Sequence, residues 1–177
     1  MTQQELNKIL ENHKHWLKRD CDGWKDMCAS LNGVSLDGAS LNGAFLNRAS
    51  LNRASLDGAS LDGAKNAPFI PFACPDSGAF IAYKKASDYI VKLQIPEDAK
   101  RLSGTDRKCR CDRAQVLEIQ NLDGTTADLT EVRSDNDNNF IYEVGKTVSV
   151  DSFDENRWNE CSTGIHFFIN RQEAVEY

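Results

Sequence analysis

No stretch of this 177-residue chain approaches the roughly 20 consecutive apolar residues that a membrane-spanning helix requires, which excludes a single-span anchor of that kind. The N-terminus opens on a polar helical pattern and not on the basic-then-apolar pattern of a signal peptide, so the expected location is the cytoplasm. Ser or Cys nucleophile elbows, paired-carboxylate motifs and Gly-rich nucleotide fingerprints are also absent, which removes the most readily recognised hydrolase and nucleotide-binding designs. Positive charge is not in excess either. With 21 basic against 27 acidic residues the net charge is −6, and this disfavours general nucleic-acid binding while leaving room for local patches. Six cysteines in a cytoplasmic chain are expected as reduced thiols, not as a disulfide framework. The 40% apolar content suffices for a core in one domain or two small ones.

What the chain does have is a strict period of five. Leu31, Leu36, Leu41, Leu46, Leu51, Leu56 and Leu61 are evenly spaced, and two residues before each stands Ala, once replaced by Val34. Helices place neighbours at 3.6 residues and strands at 2.0, so neither element accounts for seven repeats of five. A coil whose four sides are single pentapeptides does: Leu and Ala point inward in separate columns, while Ser, Asn, Asp, Gly and Arg face out. The Asn, Asp and Gly after each Leu suit the corners. A flexible Ser/Gly/Asn linker would not keep Leu and Ala in phase.

Residues 29–64 resemble the pentapeptide-repeat family, and the resemblance implies a short right-handed quadrilateral β-helix of about two coils. Some members of that family mimic DNA and occupy the DNA channel of gyrase. Here two coils would rise only ~10 Å, about three base pairs, and Arg48 and Arg53 offset Asp37, Asp57 and Asp62. A rod so short and so nearly neutral argues against mimicry.

Ahead of the repeat, Thr2 and Glu5 form a capping box, and Leu6, Ile9, Leu10, His13, Trp16 and Leu17 recur at helical spacing, predicting a helix over 3–19. Residues 1–28 are therefore expected to cap the open end of the first coil; a partner-binding helix is the alternative. His13 and His15 read as surface or cap residues, with no second ligand type at metal-binding spacing beside them. Residues 65–78, with Pro68, Pro71 and Pro75 among Phe69, Ile70 and Phe72, form an extended linker. From residue 79 the period becomes two. Residues 79–85 and 89–95 form a hairpin, 113–120 a further strand, 140–150 strand interrupted at Gly145, and 165–169 another strand. Asn170 and Glu173 form a second capping box for a terminal helix. The polar, acidic stretch 122–139 is expected to be a mobile loop.

The blocks Phe80-Ile81-Ala82-Tyr83-Lys84-Lys85, Ile95-Pro96-Glu97-Asp98-Ala99-Lys100-Arg101, Arg107-Lys108-Cys109-Arg110 and 157–168 resemble an uncharacterised domain family that often follows pentapeptide repeats and is common in phages and large viruses. The resemblance implies a phage- or prophage-type protein acting in the host cytoplasm; the family carries no established activity. The fold class expected is mainly β: a short pentapeptide-repeat β-solenoid capped by an N-terminal helix, then a small α+β domain over 79–177 with an antiparallel sheet.

Three constellations carry possible chemistry. Cys109, Cys111, Cys161 and His166 have zinc-ligand types, although their spacing matches no standard knuckle and buried reduced thiols are the commoner explanation. Arg101, Ser103, Thr105, Arg107, Lys108 and Arg110 surround Gly104 in a basic stretch, net +4 over 100–113, with the hydroxyls and cations of an anion or phosphate cradle. A solvated basic loop balanced by the acidic segment 123–137, net −4, is the favoured alternative to the cradle. His166, with Glu160 near it, has the makings of a general base, though a lone strand His is commonly structural. The function expected is a non-catalytic binding or interaction protein that takes a protein partner or a phosphate-bearing small ligand, without a cofactor. The alternatives are a small nucleotide-directed enzyme using His166 and Glu160, and sequestration of a host protein or nucleotide signal. The sequence leaves the oligomeric state open.

Overall fold

A computed structural model describes residues 1–67, 71–104 and 106–177. Pro68, Phe69 and Ile70 of the expected linker, and Thr105, lie outside the described residues. The chain divides into two compact units, Met1–Pro71 and Phe72–Tyr177. It is mainly β, with an N-terminal helix and antiparallel sheets. Among the described residues no helix is long and apolar enough to cross a membrane.

In the first unit, helix α1 (Gln3–Lys18) begins with both halves of the capping box: Glu5 N–H donates to Thr2 Oγ1, and Thr2 N–H donates to the Glu5 carboxylate at 2.8 Å. It ends at Arg19, whose left-handed backbone (φ 58°) sends its N–H to the His15 carbonyl. Leu6 and His13 are buried. Of the two places expected for His13, surface or cap, the surface is excluded: its ring is fully buried, stacked 5.4 Å from Trp16, and its Nδ1 accepts the Ala29 N–H at 3.1 Å. Burial holds the His13 imidazolium below its usual range.

The pentapeptides that follow pair with each other. Parallel bridges join Ser30 to Ser50, Ser35 to Ser55, Ser40 to Ser60 and Phe45 to Lys65, each spanning four pentapeptides. Leu31, Leu36, Leu41, Leu46, Leu51 and Leu56 are buried, each contributing about 2 kcal/mol of apolar transfer, and Ala29, Ala44, Ala49, Ala54 and Ala59 are buried beside them. The polar residue after Leu does more than tolerate a turn. Asn32 Oδ1 accepts the Asn52 N–H (2.9 Å), Asn42 Oδ1 accepts the Asp62 N–H (3.0 Å), and the Asp37 carboxylate accepts the Ser55 hydroxyl. Gln3 of α1 gives Ser40 the pairing that a strand would give, donating to its carbonyl and accepting its N–H, both at 2.9 Å.

The second unit contains a four-stranded antiparallel sheet ordered β1 (Phe80–Ala86), β2 (Tyr89–Ile95), β5 (Arg113–Asn121), β8 (Thr147–Ser149). A three-stranded sheet runs β3 (Arg101–Ser103), β4 (Cys109–Cys111), β9 (Ile165–Phe167), and β6 (Glu131–Arg133) pairs with β7 (Ile141–Glu143). Phe168 exchanges two backbone hydrogen bonds of 2.8 Å with Tyr83, so the outer edge of β1 meets the chain leaving β9. Val91, Leu93, Ile95, Val116, Ile119, Cys109, Cys111 and Phe167 share one core. The acidic stretch expected as a loop contains β6, because Val132 is buried opposite Tyr142 in the pair with β7. Helix α2 (Arg171–Glu176) is capped by Asn170 accepting from the Gln172 N–H, while Glu173 turns to Arg107 instead of completing a box.

Candidate functional site

A recess of about 580 Å³ opens in the C-terminal unit, walled by Lys84 of β1, Tyr142 of β7, Ile165 and His166 of β9, Phe140, Cys161 and Tyr177. A larger recess, about 780 Å³, lies along residues 19–26 of the first unit, but it is more open and no buried titratable group lines it. The C-terminal recess is the better candidate because a half-buried cation and a neutral histidine face it.

Lys84 breaks the alternation of its strand. Ala82 and Ala86, two residues to either side, are fully buried, so Lys84 occupies an inward position and its small neighbours leave room for the aliphatic stem. Its ammonium lies 5.9 Å from the Tyr142 ring centroid, and among the described residues no hydrogen bond or ion pair reaches it. Burial pulls its pKa below the ordinary lysine value, with Asp135 offsetting part of that. Asp135 itself is held by the Ser87 N–H at the β1–β2 turn (2.8 Å). Burial likewise pushes the Tyr142 hydroxyl upward, keeping it protonated.

His166 Nε2 lies 3.0 Å from the Glu160 carbonyl, and because a carbonyl only accepts, Nε2 carries the proton and Nδ1 is left as the acceptor. Burial lowers its pKa to about 4, the charges of Lys84, Lys108 and Arg110 acting in the same direction, so the ring is neutral at pH 7. At the rim, Lys108 Nζ donates to Cys161 Sγ (3.4 Å) and stands 5.6 Å from the Tyr177 ring centroid. Behind it, Arg110 pairs across β4 and β9 with His166. The buried Arg110 guanidinium donates to the carbonyls of Asp154, Thr163 and Asn156 at 2.9 Å each and so shapes the segment that ends in Cys161 and Gly164.

The residues singled out from the sequence thus have different surroundings. His166 and Cys161 line the recess, Lys108 reaches its rim, Glu160 supplies the carbonyl that orients His166, and Arg110 supports the wall. Arg101 faces elsewhere, donating to the carbonyls of Gly78, Pro96, Glu97 and Ala99. Ser103 is buried with its hydroxyl accepting the Ala73 N–H, and Arg107 pairs with Glu173 at 2.7 Å. Cys109 and Cys111 face the core, on the opposite face of β4 from Arg110, and burial holds the Cys111 thiol well above its usual pKa. Among the described residues the ligand atoms of Cys109, Cys111, Cys161 and His166 do not gather around one centre.

Lys84, Phe140, Tyr142 and Tyr177 escaped sequence reasoning. The signal for Lys84 was available: a lysine in phase with two alanines on the inward side of a strand. Tyr142 and Phe140 come from beyond the acidic stretch, whose pairing depends on tertiary contacts.

Comparison with known families completes the description. Residues 29–65 match pentapeptide repeats in eight copies, and residues 70–174 match a family of unknown function, DUF5758. No curated protein and no solved structure matches the chain. Since the second match covers more than half of the sequence, the chain belongs to the family of unknown function DUF5758, here preceded by pentapeptide repeats.

Proposed function

We propose that this protein is a non-catalytic receptor whose C-terminal unit binds a small ligand bearing a carboxylate or phosphate. The observation that carries this reading is Lys84, a half-buried ammonium in a recess with no bonded counter-charge among the described residues. An uncompensated buried charge is costly, and an incoming anion relieves that cost. Phe140, Tyr142 and Tyr177 offer ring faces to an apolar or aromatic body, and the neutral His166 offers Nδ1 to a ligand donor. Lys108 at the rim and the largely exposed Arg107 draw an anion toward the opening. The pentapeptide unit serves as a rigid scaffold, a right-handed four-sided β-solenoid of about two coils with α1 covering one end. The protein works in a cytoplasm of phage or prophage context, where its thiols stay reduced.

Calorimetric titration of the full chain with inorganic phosphate, nucleotides and aromatic carboxylates tests the reading. At least one class binds, with an affinity that falls as salt is raised, because the Lys84 ammonium carries the attraction. Lys84→Met loses that binding at least tenfold. Equal affinity in Lys84→Met, or binding by none of the three classes, refutes the proposal. A ligand recovered with altered mass identifies an enzyme instead.

A further inference from the structure

The first unit carries a second cluster, independent of the recess. Helix α1 stops at Arg19, and the left-handed turn there brings Asp20 and Cys21 back beside His15 of the last helical turn. The imidazole, carboxylate and thiol each offer a ligand atom, and these three atoms lie within 4.8 Å of one another, with His15 Nδ1 2.6 Å from Asp20 Oδ1. We propose that His15, Asp20 and Cys21 form a zinc-binding site.

Ligand atoms that share a tetrahedral zinc, with bonds of about 2.0–2.3 Å, stand roughly 3.2–3.8 Å apart, so the present spacing needs only small side-chain rotations. The donor set selects the metal. Calcium and magnesium prefer all-oxygen shells, whereas a thiolate with an imidazole and a carboxylate suits the borderline-soft zinc ion. Two more carboxylates, Asp22 and Asp26, line the same recess as Asp20 and Cys21 and add negative charge that favours a cation there. The site also sits at the C-terminal end of α1, where the helix carbonyls favour a cation. Arg19, the adjacent cation in sequence, is stacked over Trp24 at 5.3 Å. The three side chains are partly exposed, so an ion has direct access. The Cys21 thiol now points to Met27 Sδ at 3.8 Å; on binding it gives its proton to solvent and the sulfur bonds to the metal, with no change of oxidation state.

The test uses the full-length, chelator-treated protein titrated with Zn²⁺ and, separately, with Co²⁺. One equivalent binds with proton release, and the cobalt form shows a thiolate-to-metal charge-transfer band together with the intense visible bands of a tetrahedral centre. Cys21→Ser removes the charge-transfer band and weakens Zn²⁺ binding at least tenfold, His15→Ala weakens it similarly, and Cys28→Ser leaves both unchanged. Asp20→Cys tightens binding and intensifies the band, a gain that misfolding does not imitate. Absence of the band in the parent protein, undiminished Zn²⁺ affinity in Cys21→Ser, or no tightening in Asp20→Cys overturns the proposal.

Discussion

The left-handed positions of the pentapeptide unit offer a test of what sets its stability. Gly33, Gly38, Gly43, Gly58 and Gly63 adopt φ between 65° and 67°, and in the same place of their own repeats Arg48 and Arg53 adopt 63° and 59°. An L-residue in the left-handed region is strained by about 1–2 kcal/mol, whereas glycine costs ~0.4–1 kcal/mol more entropy on folding. Both arginines are exposed, so little packing is lost with them. Replacing Arg48 and Arg53 with Gly is therefore expected to stabilise by about 0.5 kcal/mol each, or roughly 1 kcal/mol together. For a unit of about 70 residues, that is on the order of 5 °C in Tm. Urea unfolding in a Trp158→Phe background makes the fluorescence report on Trp16 and Trp24 of the first unit. Arg→Asn at both sites should give part of the gain, since Asn tolerates this conformation. Gly43→Ala is the converse: a Cβ there meets no atom within 4 Å, so conformation alone decides, and a loss of about 1 kcal/mol is expected. A neutral or destabilising Arg48→Gly/Arg53→Gly pair would refute the reasoning.

Two further outcomes concern the C-terminal unit. A Cβ on Gly104 would lie 1.9 Å from Glu160 Oε1 and 2.4 Å from its Cγ, so Gly104→Ala must drive the buried Glu160 side chain out; a loss of about 1–3 kcal/mol in chemical denaturation is expected, with weaker ligand binding as His166 loses its orienting carbonyl. His166 has a folded pKa of about 4 against about 6.5 when unfolded, so the unfolded chain takes up the proton first and its contribution, full above pH 6.5, is lost as pH falls toward 4. The loss amounts to about 2 kcal/mol allowing for partial exposure, and denaturation midpoints between pH 4 and 7 should flatten in His166→Gln.

Patterns set by the local chain were legible. The five-residue phase located the buried leucines, the two-residue phase located β1, β2 and β5, and Thr2 with Glu5 marked the start of α1. What depended on distant partners was not. Arg101 and Arg110 look like free cations in a basic run, but no local pattern states that backbone carbonyls 44 or more residues from Arg110 will surround its guanidinium. The pairing of β6 with β7 was hidden because exposed Glu131 and Arg133 flank a single buried Val132. Cys21 and Asp20 come to His15 through one left-handed residue, Arg19, which is not a type that announces such a turn.

The constant offset of the parallel bridges gives the repeat a reading frame. Ser30 meets Ser50 across twenty residues, and each later bridge repeats that count. Once the first bridge has closed, the next requires only five more residues to be ordered, so loop-closure entropy is met mainly once. The same arithmetic makes errors propagate. One residue inserted between Leu51 and Ala54 would leave Ser30–Ser50 intact yet displace Ser55, Ser60 and Lys65 from their partners together, and move every later leucine out of the five-residue phase. An insertion of twenty keeps every later bridge in phase. Length variation in this unit is therefore quantised, and a chain lengthened by twenty residues should still fold where one lengthened by a single residue does not.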